Sequence, residues 1–323
     1  MRLTLAALGI AFGAHTGFAA PPAWDDTPRI AVVSAFEPEW QAIRAAVVAS
    51  GSTNVNGTEF VTGTLAGKDV VLYMSGVSMV NAAMTTQLAL DRYNISSVVF
   101  TGIAGSADPA LHIGDVVVPE RWGQYFEVIA ARDRDGHLTI PRYFSSTHTN
   151  FGVFVPRDVD VISAVPDAPE TKFWFDVDPS LFEIAKGAVL DVELNNCSKG
   201  KACLTHIPQV HVGGNGVSSS VFVDNAAMRE WAFTNYQAEV LDMESAAVAQ
   251  VAWSNQIPFI AFRSVSDLAG GGAGQNEMGT FMDLASENSV RVVSRFIEAM
   301  PRSGTQAPAS AAPAPVAPVA ANP

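Results

Sequence analysis

Two acidic residues stand where apolar runs end, and this placement restricts the fold more than any other feature of the chain. In residues 240–249, an apolar entry leads to Glu244 and then to a helical run of small residues. Residues 257–262 form a second apolar run, which is followed by Arg263 and Asp267. Ligands of open α/β sheets bind beyond the carboxyl ends of the strands. The pattern therefore predicts two adjacent strand ends that offer Glu244 and Asp267 to one site, suited to hydroxyl binding and proton transfer.

Short β-rich runs alternate with helical patterns along most of the chain, which indicates an α/β fold. Residues 121–207 interrupt this alternation as a long irregular insert. Glycine turns at residues 75–77 and 101–106, the latter with Gly105, let backbone amides approach a ligand, although tight turns alone also explain them. The predicted strands are residues 29–34, 58–65, 68–74, 96–100, 113–119, 209–213, 238–241 and 257–262, and the predicted helices are residues 38–48, 82–93, 179–189, 226–234, 244–253 and 282–300.

The composition allows a large core and argues against two classes of partner. The 323 residues are 48% hydrophobic and 16% charged, which suffices for one large α/β domain or two small ones. The formal net charge is -13. Nucleic acids and anionic membranes favour basic patches, so we expect neither as a partner.

The two ends of the chain carry segments that we expect to lie outside the folded domain. Residues 1–19 combine Arg2, an apolar run and a small-x-small sequence, the pattern of a signal peptide. A buried strand and a membrane anchor are the alternatives, although the run is short for a bilayer. We therefore expect an exported protein, periplasmic or secreted, with no membrane contact after cleavage and a linker at residues 20–28. Residues 302–323 are almost wholly Ala, Pro, Ser and Val, which predicts a disordered tail.

Cys197 and Cys203 flank a small polar loop. In an exported protein this spacing favours a local disulfide, with two unpaired thiols as the alternative. Neither the cysteines nor the six histidines show the spacing of a metal site, so we expect no metal and no cofactor. Residues 270–274 are glycines around Ala273 and predict a flexible loop, either a mobile lid or an ordinary surface loop.

Glu39 lies at the first predicted strand-to-helix junction, behind Pro38, a residue that fits the first turn of a helix. This position is at the carboxyl edge of the sheet, as are the positions of Glu244 and Asp267. An acidic residue in a first turn also complements the helix dipole, and on spacing alone that reading is the stronger one. The pattern by itself thus supports a small-ligand crevice with acid–base chemistry.

Several stretches keep their order from residue 29 to about residue 300: RIAVVSAFEPEW, SGVSMVNAA, TGIAG followed by IGDVVVP, SSVFVDN, LDMESAAVA and FRSVSD. Together they resemble the nucleoside phosphorylase and nucleosidase superfamily, specifically its methylthioadenosine/S-adenosylhomocysteine nucleosidases. The insert and the VFVDNAAMREW run are more similar to the plant bark-storage branch. The resemblance implies one domain over residues 29–301, built as a three-layer α/β/α sandwich around a mixed, twisted sheet. It also implies a homo-oligomer, commonly a dimer.

The resemblance implies hydrolysis of the N-glycosidic bond of a purine nucleoside. Glu39 matches the general base that activates water, and its neighbour Glu37 is the register alternative. Asp267 matches the acid that protonates the purine at N7. Arg263 matches a residue near the nucleophile, with a purely structural partnership to Glu39 or Glu244 as the alternative.

The substrate contacts follow from the same resemblance. Glu244 matches the carboxylate that binds the ribose hydroxyls, and Met243 matches the residue that packs against the sugar. Phe222 matches the aromatic that stacks on the base, with a plain core residue as the alternative. Val223 offers backbone contacts, and Gly105 belongs to the central glycine turn.

Two positions depart from the pattern of the phosphorylases, which hold phosphate with an arginine and a serine at the central glycine turn. Phe100 and Ile103 stand at those places. Because an anion without donors is costly to bury, we expect hydrolysis of methylthioadenosine-like or related nucleosides. The alternatives are a phosphate-dependent phosphorylase and a catalytically inactive nucleoside-binding or storage protein. The compact nucleosidases also carry a serine where Ile103 stands, so the attacking water lacks that hydroxyl here.

Overall fold

A computed structural model describes residues 25–163, 167, 171–198 and 202–301 of the chain. The predicted signal peptide, the predicted tail and the first part of the predicted linker lie outside these residues. The strands are β1 (Asp25–Ser34), β2 (Val48–Val55), β3 (Thr58–Leu65), β4 (Lys68–Met74), β5 (Tyr93–Ser106), β6 (Val116–Val118), β7 (Arg121–Gln124), β8 (Val128–Ala130), β9 (Arg132–Arg134), β10 (His137–Thr139), β11 (Phe154–Pro156), β12 (Val159–Asp160), β13 (Thr171–Lys172), β14 (Trp174–Asp176), β15 (Val210–Val212), β16 (Asn215–Ser218), β17 (Ala238–Asp242) and β18 (Phe259–Asp267). The helices are α1 (Glu37–Ala46), α2 (Met79–Arg92), α3 (Pro179–Ala188), α4 (Ala226–Tyr236), α5 (Ser245–Ser254) and α6 (Met278–Ala299).

Twelve of these strands form one mixed sheet with β5 near its centre. The order is β14-β7-β16-β17-β5-β1-β4-β3-β2, with β18 paired to β5 and β6, and β15 paired to β6. β5 runs parallel to β1 and to β18, whereas β17 pairs antiparallel with its last two residues, Gly105 and Ser106. The sequence predicted that the strands leading to Glu244 and Asp267 are adjacent. In the structure these strands, β17 and β18, each pair with β5, which lies between them.

Helices cover the sheet because its central strands are apolar on both faces. All nine residues of β18 are buried, the pattern of a strand that is packed on both sides. α1 and α3 contact α6, and α2 contacts α5, which gives two groups of helices. The predicted α/β sandwich around a mixed sheet is confirmed.

The predicted start of the first strand is wrong by four residues. β1 begins at Asp25, whereas the sequence predicted a linker up to residue 28. The Asp25 carboxylate accepts from Arg29 Nε at 2.7 Å, and Asp25 pairs with Tyr93 of β5. This ion pair and the strand pairing extend β1 beyond its apolar run.

The predicted insert is not wholly irregular, since β7 at its start and β14 within it belong to the main sheet. The helix predicted at residues 179–189 is confirmed as α3. The insert contributes to a second core that includes several aromatic side chains, in which Phe173 stacks on Tyr236 of α4 with ring centroids 5.0 Å apart. Its members near the site include Tyr125 and Val223.

Two further local predictions are confirmed and one is wrong. The hairpin of β3 and β4 is confirmed, as is the disulfide between Cys197 and Cys203. Residues 101–106, predicted as a glycine turn, instead continue β5. Within the described residues, no helix has the length and apolar character that crossing a membrane requires.

Candidate active site

A cleft opens where β5, β17 and β18 meet, and acidic and apolar side chains line it together. Two of its acidic groups lie at positions set by β5. A Cβ on Gly102 would overlap Glu39 and Arg263, and a Cβ on Gly105 would lie 3.2 Å from Asp267 Oδ1. Glycine at these positions lets the β5 backbone approach both acidic groups directly.

Glu39 is 2% exposed and projects from the first turn of α1. Its Oε2 accepts the N–H of Ala35 at 2.6 Å, and its Oε1 accepts the N–H of Ile103 at 2.8 Å. Burial raises the pKa of Glu39, while Arg263 and the backbone N–H groups oppose that rise. The register alternative, Glu37, is exposed and pairs with Gln41 instead, so Glu39 is the residue that reaches the cleft.

Arg263 is fully buried and lies among three carboxylates. Its Nε is 2.7 Å from Asp242 Oδ2, its Nη1 is 3.6 Å from Glu39 Oε1, and its Nη2 is 3.8 Å from Glu244 Oε2. The guanidinium also lies over the ring of Phe100, 4.0 Å from the centroid. We call this group, with its three carboxylates, the Arg263 end of the cleft.

Asp242 is the functional residue that the sequence reading missed. Its Oδ1 accepts the N–H groups of Glu244 and Ser245, each at 3.2 Å, and a short hydrogen bond from Ser218. Asp242 thus orients both the start of α5 and the guanidinium of Arg263. Its place in the acidic pair around Met243 was the available signal.

Glu244 is buried at the start of α5. Its Oε1 accepts the N–H of Ser78 at 2.7 Å. Ser78 has a φ of 82°, which is unusual for a residue with a side chain and is often found at functional sites. Burial and the charge of Asp242 raise the pKa of Glu244 to about 8.

Asp267 ends β18 and is 3% exposed. Its hydrogen-bond donors are all neutral: Ser266 Oγ at 2.8 Å, the Ala269 N–H at 2.9 Å and Asn276 Nδ2 at 3.2 Å. Burial is the main cause that raises the pKa of Asp267, and the charge of Glu277 adds to it. We call Asp267 and these donors the Asp267 end.

The remaining predicted residues all reach this region. Phe222 is 54% exposed at the cleft, so the alternative of a plain core residue does not describe it. Met243, Ile103 and Gly105 line the same cleft, and Val223 lines a smaller pocket beside it. The structure thus brings the predicted catalytic and substrate-binding residues together, while their roles stay predictions.

No metal arrangement accompanies the carboxylates. Among the described residues, no group of three or more His, Cys, Asp or Glu side chains is arranged to hold a metal ion.

The cleft also has an apolar wall, much of which is formed by Phe36, Val77, Leu241 and Met278.

Comparison with known proteins finds similar sequences among nucleosidases and storage proteins. The sequence model of the phosphorylase superfamily matches residues 29–298. The 5'-methylthioadenosine/S-adenosylhomocysteine nucleosidase of Bacillus thuringiensis is 31% identical over 270 residues, 84% of this chain and 98% of the relative. Bark storage protein B of Populus deltoides is 29% identical over 261 residues, 77% of this chain and 80% of the relative. The S-adenosylhomocysteine nucleosidase of Streptococcus pyogenes, solved with 5-methylthiotubericidin, superposes with a TM-score of 0.63 at 24% identity and covers 86% of this chain and 100% of its own.

Proposed function

The chain belongs to the phosphorylase superfamily, and from that premise we propose that it is a purine nucleosidase, which hydrolyses the N-glycosidic bond. The observation that carries the proposal is the pair of buried acids over β5. Glu39 lies over Gly102 and Asp267 over Gly105. Three residues of a strand span about 10 Å, which suits a nucleoside with its reacting bond between the two groups.

The two acids divide the chemistry between them. Glu39 acts as the general base and takes a proton from the attacking water. Asp267 acts as the general acid and protonates the purine at N7, so that the base leaves as a neutral molecule. The transition state has oxocarbenium character, and the carboxylates of the Arg263 end stabilise its positive charge. Each general acid–base step contributes about 10²–10⁴-fold.

Water rather than phosphate is the nucleophile in this proposal. Of the residues that line the cleft in the described part of the chain, none is Lys, Arg or His. Arg263 lies behind the lining, where three carboxylates and the ring of Phe100 surround it. A phosphate ion would meet carboxylates without a free cation, which is unfavourable for an anion.

The substrate contacts extend the proposal to the ribose and the base. Glu244 binds the ribose hydroxyls, and Met243 packs against the sugar. Phe222 stacks on the purine from the exposed side of the cleft, since aromatic rings stack favourably on a flat base.

The finer proposal concerns the 5′ substituent. We propose methylthioadenosine or S-adenosylhomocysteine as the substrate type. The apolar wall of Phe36, Val77 and Met278 supports a thioether rather than a free 5′ hydroxyl, and the nucleosidase of Bacillus thuringiensis supports it independently.

Export and assembly are two further parts of the proposal. We propose that the mature protein is exported, on the strength of the signal-peptide pattern and the Cys197–Cys203 disulfide. N-terminal sequencing of protein from culture medium and periplasm would test it. We also propose a homodimer, supported by the exposed apolar side chains of Val80 and Met84 on α2. Light scattering of the purified protein would test the mass.

The deciding experiment incubates the protein with methylthioadenosine, S-adenosylhomocysteine, adenosine, inosine and guanosine, each with and without phosphate. Free base is followed by chromatography. We expect phosphate-independent release that Asp267→Asn abolishes and that Asp283→Asn, at an exposed position of α6, leaves intact. Release that requires phosphate would contradict hydrolysis.

Two observations favour a second function. The similarity to bark storage protein B, together with Ile103 beside Glu39, supports a nucleoside-binding or storage protein without activity. Binding of methylthioadenosine in calorimetry, with no base released over hours, would establish that alternative.

A further inference from the structure

The loop after Asp267 is packed rather than free. We call residues 268–277 the strap. A Cβ on Gly270 would overlap the backbone of Asn225, and a Cβ on Gly271 would overlap the guanidinium of Arg229. The consecutive glycines therefore bring the strap against α4 and the segment before it, where side chains would prevent contact.

One hydrogen bond joins the strap to the segment before α4, and another closes the strap on itself. The Asn225 N–H donates to the Ala269 carbonyl at 3.1 Å. Glu277 Oε2 accepts the N–H of Leu268 at 3.2 Å, which closes the strap on itself. The strap and residues 221–225, which include the base-stacking Phe222, thus form one hydrogen-bonded unit.

Asn276 has an amide whose orientation is fixed by its neighbours. Its Oδ1 accepts the N–H of Met278, the first residue of α6, at 3.0 Å. Its Nδ2 consequently faces two carboxylates, Asp267 Oδ1 at 3.2 Å and Asp224 Oδ1 at 3.1 Å. An amide NH₂ group offers two donors, so both contacts are made at once.

This arrangement distinguishes the two oxygens of Asp267. Oδ1 receives two N–H groups, from Ala269 and Asn276, and neither donor can accept a proton in return. Within the part of the chain that the structure describes, Oδ2 has one hydrogen-bond partner, the hydroxyl of Ser266, which has a second acceptor in the Ala104 carbonyl at 3.3 Å. A proton on Asp267 therefore resides on Oδ2, the oxygen free to give it away.

We propose that Asn276 is a positioning residue that holds the proton of Asp267 on Oδ2 and fixes this acid relative to the segment carrying Phe222. The inference rests on the proposed function, since it assigns the acid its proton-donating oxygen. Asn276 itself touches neither the base nor the bond that breaks.

The test compares Asn276→Ala and Asn276→Asp with the wild type in the full chain. Gln275→Ala is the matched control, because Gln275 is the exposed neighbour in the same strap. Base release from the best nucleoside gives kcat, KM and their pH dependence, and circular dichroism gives the melting temperature. Asn276→Asp keeps the shape of the side chain and replaces the donor, so it remains informative if Asn276→Ala folds poorly.

We expect Asn276→Ala to lower kcat about 10-fold with little change in KM. The Asn276 bond favours ionised Asp267, so its removal raises the pKa of Asp267 and moves the alkaline limit of activity to higher pH. Asn276→Asp should lower kcat further and move that limit further, because it adds negative charge beside Asp267. Gln275→Ala should match the wild type.

Two results would overturn the inference, and they are distinguishable. If both Asn276 variants keep the wild-type kcat and pH profile, or change only the melting temperature, the positioning role is wrong while the nucleosidase stands. If the wild type itself releases no base, the proposed function fails and this role fails with it.

Discussion

The Arg263 end and the Asp267 end of the cleft differ in the charge of their neighbours, although burial acts on both. Glu39 lies 3.6 Å from a guanidinium and accepts backbone N–H groups, all of which favour a carboxylate. Asp267 has only neutral donors, with the negative Glu277 nearby. The comparison shows how two carboxyl groups beside one strand can act as a base and as an acid at the same pH. Both are carboxyl groups, and their different surroundings set their different protonation states.

Removal of the guanidinium should have the largest effect, and on stability. We expect Arg263→Met to lower the free energy of unfolding by about 3–5 kcal/mol, because it leaves three buried carboxylates without their cation. Urea denaturation followed by fluorescence would measure it. Arg295→Met on the exposed face of α6 is the control and should cost no more than about 1 kcal/mol. Equal losses in the two variants would show that the Arg263 end is not held together by charge.

Exchange of each acid should remove opposite limits of the pH profile. Glu39 works ionised, so activity falls as pH drops below its raised pKa; Asp267 works protonated, so activity falls as pH rises above its pKa. Glu39→Gln and Asp267→Asn should each lower kcat about 10²–10⁴-fold. The residual activity of Glu39→Gln should no longer fall at low pH. The residual activity of Asp267→Asn should no longer fall at high pH.

The exposed Glu37 provides the control for that pair, since Glu37→Gln should leave the profile unchanged. If both variants lost the same limit, the assignment of base and acid would be wrong.

Loss of the Asp242 charge should weaken ribose binding. In Asp242→Asn the amide brings a donor against Arg263 Nε, and the charge that raises the pKa of Glu244 is gone. We therefore expect the pKa of Glu244 to fall below about 8. We expect KM to rise about 10-fold because a displaced Arg263 also displaces Glu244, whose Oε2 lies 3.8 Å from its Nη2. Carbon-detected NMR of labelled glutamate would follow the titration. An unchanged Glu244 titration would show that the charge of Asp242 does not raise the pKa of Glu244.

The smallest predicted effect is a gain. Ile103 lines the cleft beside Glu39, and Ile103→Ser would add the hydroxyl that the compact nucleosidases carry. One added hydrogen bond to the attacking water should raise kcat about 2- to 10-fold. Ile103→Val, which adds no donor, is the control. A gain in both variants would indicate relief of crowding rather than placement of water.

The strand ends could be predicted from the sequence because apolar runs of β-rich residues locate them. Glu39, Glu244 and Asp267 stand within a few residues of the ends of such runs. The glycines of β5 were visible, although their strand was mistaken for a turn. Residues 25–28 were missed because an ion pair, not apolar side chains, extends β1.

Asp242 and Asn276 could not be assigned in the same way. Asp242 resembles an ordinary polar residue at the start of a helix, and its ion pair with Arg263 is visible only once β17 and β18 are placed on β5. Asn276 lies in a glycine-rich loop without periodic pattern, and its two carboxylate partners come from different segments. Contacts between segments distant in sequence carry no local signal.

The glycines of β5 also determine which parts of the site can change during evolution. Gly102 and Gly105 leave no room for a side chain beneath the acids, so this floor cannot be altered without displacing Glu39 or Asp267. The walls have no such restriction, since Phe222 is exposed and Met278 starts a helix. Descendants of this chain that adopt new nucleosides should therefore differ at the walls, whereas the floor stays invariant.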